Sequence, residues 1–79
     1  MRQYQSTWNA IKTTGKASVT VSREHARTVT AGVIEIKSDE NRLRKMAGLM
    51  GWSKLVIKTT RPSDTHVRID FSLAYSTNL

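Results

Sequence analysis

A chain of 79 residues with no cysteine and a formal net charge of +7 reads as one small domain that neither a disulfide nor a thiolate metal site can staple. A chain this short buries only about 60% of its unfolded surface, so packing must supply nearly all of its stability. No apolar run reaches the roughly 18 residues of a membrane span. The opening Met1-Arg2-Gln3-Tyr4-Gln5 also lacks a signal peptide's apolar core, so the chain is expected to be soluble and cytoplasmic with no membrane partner.

Residues 4–14 are predicted to form a helix, because Tyr4, Trp8 and Ile11 recur at i, i+4 and i+7 on one face. Gly15 is placed to end it, since glycine adopts the left-handed conformation of a helix stop without a Cβ penalty. Residues 16–21 alternate, with Ala17, Val19 and Val21 facing one way and Ser18 and Thr20 the other, the pattern of a half-buried strand.

Ser22 has the chemistry of a helix N-cap, and Glu24 would sit in the favoured first turn. Ala26, Val29, Val33 and Ile36 then follow at helical spacing. Composition argues for a strand at 28–37 instead, because Thr28, Val29, Thr30, Val33, Ile34 and Ile36 are β-branched and Gly32 lies among them. The neighbouring Val33-Ile34 breaks strict alternation, which favours helix. Ser38-Asp39-Glu40 looks like a second helix start before Leu43, Met46, Ala47 and Met50, with Gly51 as the stop. The stripe keeps its register from 26 to 50 but meets Glu40, so residues 23–50 read as one long helix or as two with a break near 37–39.

Residues 53–60 and 65–75 are predicted to pair as a β-hairpin across the turn Arg61-Pro62-Ser63-Asp64. Val67, Ile69, Phe71, Leu73 and Tyr75 share one face of the second strand, the clearest periodic signal in the chain. The fold class is therefore α+β: a three-stranded antiparallel sheet with helices packed on one face. The element order is that of a winged helix-turn-helix domain, a match in order alone.

The chemistry of the chain points to binding. His25 and His66 stand apart and outside any metal-ligand spacing, and each carboxylate has a capping, turn or surface reading. No glycine-rich phosphate loop is present. The expectation is a protein that is not an enzyme and takes no cofactor and no metal.

Residues 37–61 hold seven cations against two carboxylates. The leading expectation is a regulatory protein that binds nucleic acid, DNA before RNA, through a helix at 39–50 and the hairpin. The candidate contact residues are Asn41, Arg42, Arg44, Lys45, Trp52, Lys54, Lys58 and Arg61. The alternative is a small inhibitor of the kind carried by viruses and mobile elements, which would dock on an acidic protein through Leu49, Trp52 and the methionines. A homodimer formed along the edge of the 65–75 strand is a further expectation.

Overall fold

The computed structural model describes residues 4–52 and 54–74. In chain order these form helix α1 (Gln5–Thr14), strand β1 (Lys16–Ser22), helix α2 (Arg23–Met46), and strands β2 (Leu55–Thr60) and β3 (His66–Leu73). Both helices pack against one three-stranded antiparallel sheet of order β1-β3-β2, so the α+β class read from the sequence is the observed one.

Helix α1 buries Trp8 and Ile11, as its period requires. It stops at Gly15, whose φ is 89° and whose N–H donates to the Ile11 carbonyl at 2.7 Å. Helix α2 is unbroken over 24 residues. The strand alternative for residues 28–37 loses because Val29, Val33 and Ile36, spaced by four and three, reach one core only when the backbone is helical. Burial against Val67, Ile69 and Phe71 overrides the weak local preference of β-branched residues. Gly32 within this helix also has a packing reason: a Cβ there would overlap the Tyr4 ring.

Of the two readings of residues 23–50, the single helix is the observed one: there is no break near 37–39, and Ser38 lies inside α2. Glu40 remains on the inward stripe because Lys12 Nζ of α1 meets its carboxylate at 3.0 Å. A buried-side acid with a cation partner does not have to end a helix. Ser22 occupies the N-cap position, but its hydroxyl hydrogen-bonds His25 Nδ1 at 2.6 Å rather than a backbone amide. The helix ends at Met46, before the expected stop at Gly51.

Strand β3 lies in the middle of the sheet. Val19 and Thr59 both stand opposite Ile69, one from each neighbouring strand. Both of its edges are thus occupied, which excludes a homodimer formed along it. The turn between β2 and β3 is held by Ser63 Oγ, which accepts from the N–H groups of His66 at 3.2 Å and Thr65 at 3.4 Å. Tyr75 and the rest of the C-terminal segment lie outside the described residues.

Both helices sit over β1 and β3. The inward side chains of β2, Leu55 and Ile57, are in consequence only half-buried, whereas Val67, Ile69 and Phe71 of β3 are buried. The helix-turn-helix of the winged order would need two helices and a turn within residues 23–50; α2 is one unbroken helix there, and the residues expected to form a recognition helix are its last turns and the loop that follows.

Candidate functional site

Beyond Ile36 the stripe of α2 that faces the sheet leaves the core, and Leu43, Lys45 and Met46 are exposed. The helix closes with two bonds that reverse the chain: Gly48 N–H to the Lys45 carbonyl at 3.0 Å and Leu49 N–H to the Arg44 carbonyl at 2.8 Å. Gly48 has a φ of 78°, the left-handed residue such a Schellman closure needs.

The loop that follows is pinned back onto α2 by two side chains. Arg44 Nε donates to the Met50 carbonyl at 2.6 Å, and its guanidinium lies 4.6 Å from the centre of the Trp52 ring. Asn41 Oδ1 accepts from the Trp52 N–H at 2.6 Å. Gly51 allows this approach, since a Cβ there would stand 3.0 Å from Asn41 Oδ1. Trp52 in turn meets Trp8 edge-on, with ring centres 5.8 Å apart.

Three of the eight candidate contact residues, Asn41, Arg44 and Trp52, therefore bind the chain's own loop. Arg42 is exposed and reaches Asp39 at 3.4 Å, an i,i+3 pair of small energetic weight. Lys45 and Lys54 are exposed on either side of the loop. Lys58 faces away from both helices, opposite Asp70, and Arg61 is exposed at the head of the hairpin turn. The candidates are thus divided between the end of α2 and the open side of the sheet.

That open side is polar. Ser18 Oγ donates to Asp70 Oδ1 at 2.5 Å and Arg68 Nε donates to the same oxygen at 3.1 Å. The Ser18 hydroxyl first, with Arg68 and Lys58 adding to it, holds the Asp70 carboxyl below its ordinary range against a smaller opposing effect of burial. Lys16, Thr20 and Thr60 surround this cluster.

Sequence reasoning missed the division of charge around α2. Arg23, Arg27, Thr30, Ile34, Lys37, Asn41 and Lys45 follow one another at spacings of three and four, so they form one flank, with four cations and no carboxylate. Glu24, Glu35 and Asp39 fall on the opposite flank. Helical spacing of the charges, applied along the whole of residues 23–46 rather than from residue 37, is the signal that reveals it. On the basic flank, burial first and the nearby Lys45 second lower the Lys37 pKa.

Glu40 has a distinct pH signature. Partial burial opposes its ionisation, but Lys12, the nearby Trp8 indole N–H and Gln5 outweigh that and hold its carboxyl below the ordinary range. A carboxylate with a lowered folded pKa contributes stability above its unfolded value near pH 4.3 and loses it as pH falls through the folded value. Glu40→Gln should therefore lower stability at pH 7 by at most about 1 kcal/mol and flatten the acid limb. Thermal melts from pH 7 down to 3 check it.

No family model, curated protein or solved structure matches the chain.

Proposed function

We propose that this chain is a non-catalytic nucleic-acid-binding protein that lays the basic flank of α2 along a phosphate backbone, DNA being the first candidate. The observation that carries this reading is the sorting of charge on α2. Arg23, Arg27, Lys37 and Lys45 share a flank that holds no acid and runs about 33 Å at 1.5 Å per residue. A formal net charge of +7 supports it by drawing polyanions to the whole surface. Arg42 and Lys54 extend the cationic surface at the helix end. Because the Asn41 carboxamide oxygen and the Arg44 guanidinium are occupied within the chain, the binding is phosphate-directed and largely independent of sequence.

The lowered pKa of Lys37 fits the same reading. A phosphate placed beside it would favour the charged ammonium and offset both its burial and the repulsion from Lys45.

Fluorescence anisotropy with a labelled DNA duplex over a range of salt tests the proposal. Affinity should fall with a log–log slope of about −3 to −4, the response to neutralising about four phosphates. Arg27→Glu together with Lys45→Glu should weaken binding about 100-fold and reduce the slope by about 2. Absence of binding at about 50 mM salt, or wild-type binding by the double variant, overturns it. An RNA duplex in the same assay tells whether the preference for DNA holds.

A further inference from the structure

The basic flank leaves the most exposed large apolar side chains among the described residues unexplained. Leu43, Met46, Leu49 and Met50 are 63%, 78%, 54% and 74% exposed, and all four fall within eight consecutive residues. Isolated exposed apolar residues are ordinary on protein surfaces, but a contiguous group is not. Leu43 and Met46 are i,i+3 neighbours on the last turns of α2. The Schellman closure folds Leu49 back on that turn, and the Arg44–Met50 bond holds the next residue there.

This cluster is held in place rather than carried on a free loop. The Asn41–Trp52 and Arg44–Met50 hydrogen bonds and the Arg44–Trp52 contact fix the loop's course. Each spends a polar side chain on keeping apolar ones in water, an arrangement that makes sense when a partner removes the water.

The surrounding charge selects the kind of partner. Arg42 and Lys45 flank Met46 on the helix, and Lys54 follows the loop. The nearby carboxylates are met by cations, Glu40 by Lys12 and Asp39 by Arg42. A second copy of this chain would bring the same cations to the contact, so like charges would face each other. An acidic partner with an apolar stripe would meet opposite charges around an apolar centre.

We propose that the end of α2, through Leu43, Met46, Leu49 and Met50, docks an acidic amphipathic helix of a partner protein. Methionine suits such a surface, because its unbranched, polarisable side chain adjusts to the stripe it meets. The apolar stripe of the partner helix would lie across the four side chains, with its glutamates or aspartates toward Arg42, Lys45 and Lys54.

The probe is a synthetic peptide of about 20 residues, helical by design, with leucine on one face and glutamate on the others. Binding is followed through the methionine ε-methyl NMR signals of the full chain. The Met46 and Met50 methyls should shift on addition of this peptide and remain in place with a lysine-for-glutamate version. Leu43→Ser with Met46→Ser alters exposed positions and should leave the far-UV circular dichroism unchanged. It should weaken peptide binding about tenfold or more. Arg23→Glu with Arg27→Glu, both exposed on the basic flank at the far end of α2, should by contrast reduce DNA affinity and leave peptide affinity unchanged.

Equal binding of the acidic and basic peptides, or unchanged peptide binding by the serine variant, overturns the proposal. So does sedimentation of the free chain as a dimer that the serine variant abolishes, because the occupant is then a second copy. If the serine variant loses DNA affinity as completely as the charge-reversal variant does, the patch belongs to the nucleic-acid surface and the proposal also fails.

Discussion

Trp8→Ala should unfold the chain. Trp8 is fully buried, packs from α1 into the core shared with α2 and the sheet, and meets Trp52 in a T-shaped contact with ring centres 5.8 Å apart. Removing a buried tryptophan side chain costs about 3–5 kcal/mol, from lost transfer energy and the cavity left behind. A domain of this size has only about 3–5 kcal/mol to lose. The two figures are equal, so far-UV circular dichroism of the variant at 25 °C should show a largely unfolded chain.

Trp8→Phe separates the loss of volume from the loss of polar chemistry. Trp8 Nε1 is buried without meeting an acceptor in hydrogen-bond geometry, so phenylalanine gives up no hydrogen bond. It does remove the N–H dipole that lies near the Glu40 carboxylate and favours its ionised form. This variant should stay folded and lose about 1–2 kcal/mol in urea denaturation. Collapse of the phenylalanine variant to the level of the alanine variant would mean that the interaction of the indole N–H with Glu40, rather than the filled volume, carries the stability.

The parts of the fold that follow from local periodicity were legible in the sequence. Trp8 and Ile11, Val29 with Val33 and Ile36, and Val67 with Ile69 and Phe71 were all grouped by spacing, and they are the core. The continuity of α2 was not legible, because the reason for it is distant in the chain. Glu40 looks like an interruption until Lys12, 28 residues earlier, comes beside it. Sheet order was equally hidden, since hairpin pairing fixes β2 against β3 but does not say which strand β1 joins. One clue existed: β3 is the longest strand and its inward face carries the most fully buried residues, as a central strand requires.

The candidate site divides in the same way. Net positive charge and its concentration after residue 37 can be counted from the sequence. Which cations are available and which are committed cannot, because Asn41, Arg44 and Trp52 look like surface groups until the loop turns back on the helix. A polar side chain near the end of a helix is as apt to satisfy its own chain's orphan groups as to meet a partner. The glycines at 48 and 51 were the local hint that the chain reverses there, the first by its positive φ and the second by its close approach to Asn41.

Asn41→Ala tests that distinction directly. Its Oδ1 takes the part-buried Trp52 N–H, and alanine would leave that amide without its acceptor. An amide stranded in this way costs about 1–3 kcal/mol, and partial access to water places Asn41 toward the lower part of that range. Of the two α2 side chains that pin Met50 and Trp52, Arg44 would then remain. Amide exchange should quicken at Gly51 and Trp52, with tryptophan emission moving to longer wavelength as Trp52 gains water. Asn41→Asp keeps an acceptor at the same position and should preserve the slow exchange. If Asn41 instead read a base edge, its removal would cost about 1–3 kcal/mol of DNA affinity and relax a sequence preference. The clamp account requires that DNA affinity per folded molecule stay within about twofold and that the salt slope not change. A large loss of DNA affinity with unaltered exchange at Trp52 would return Asn41 to the interface.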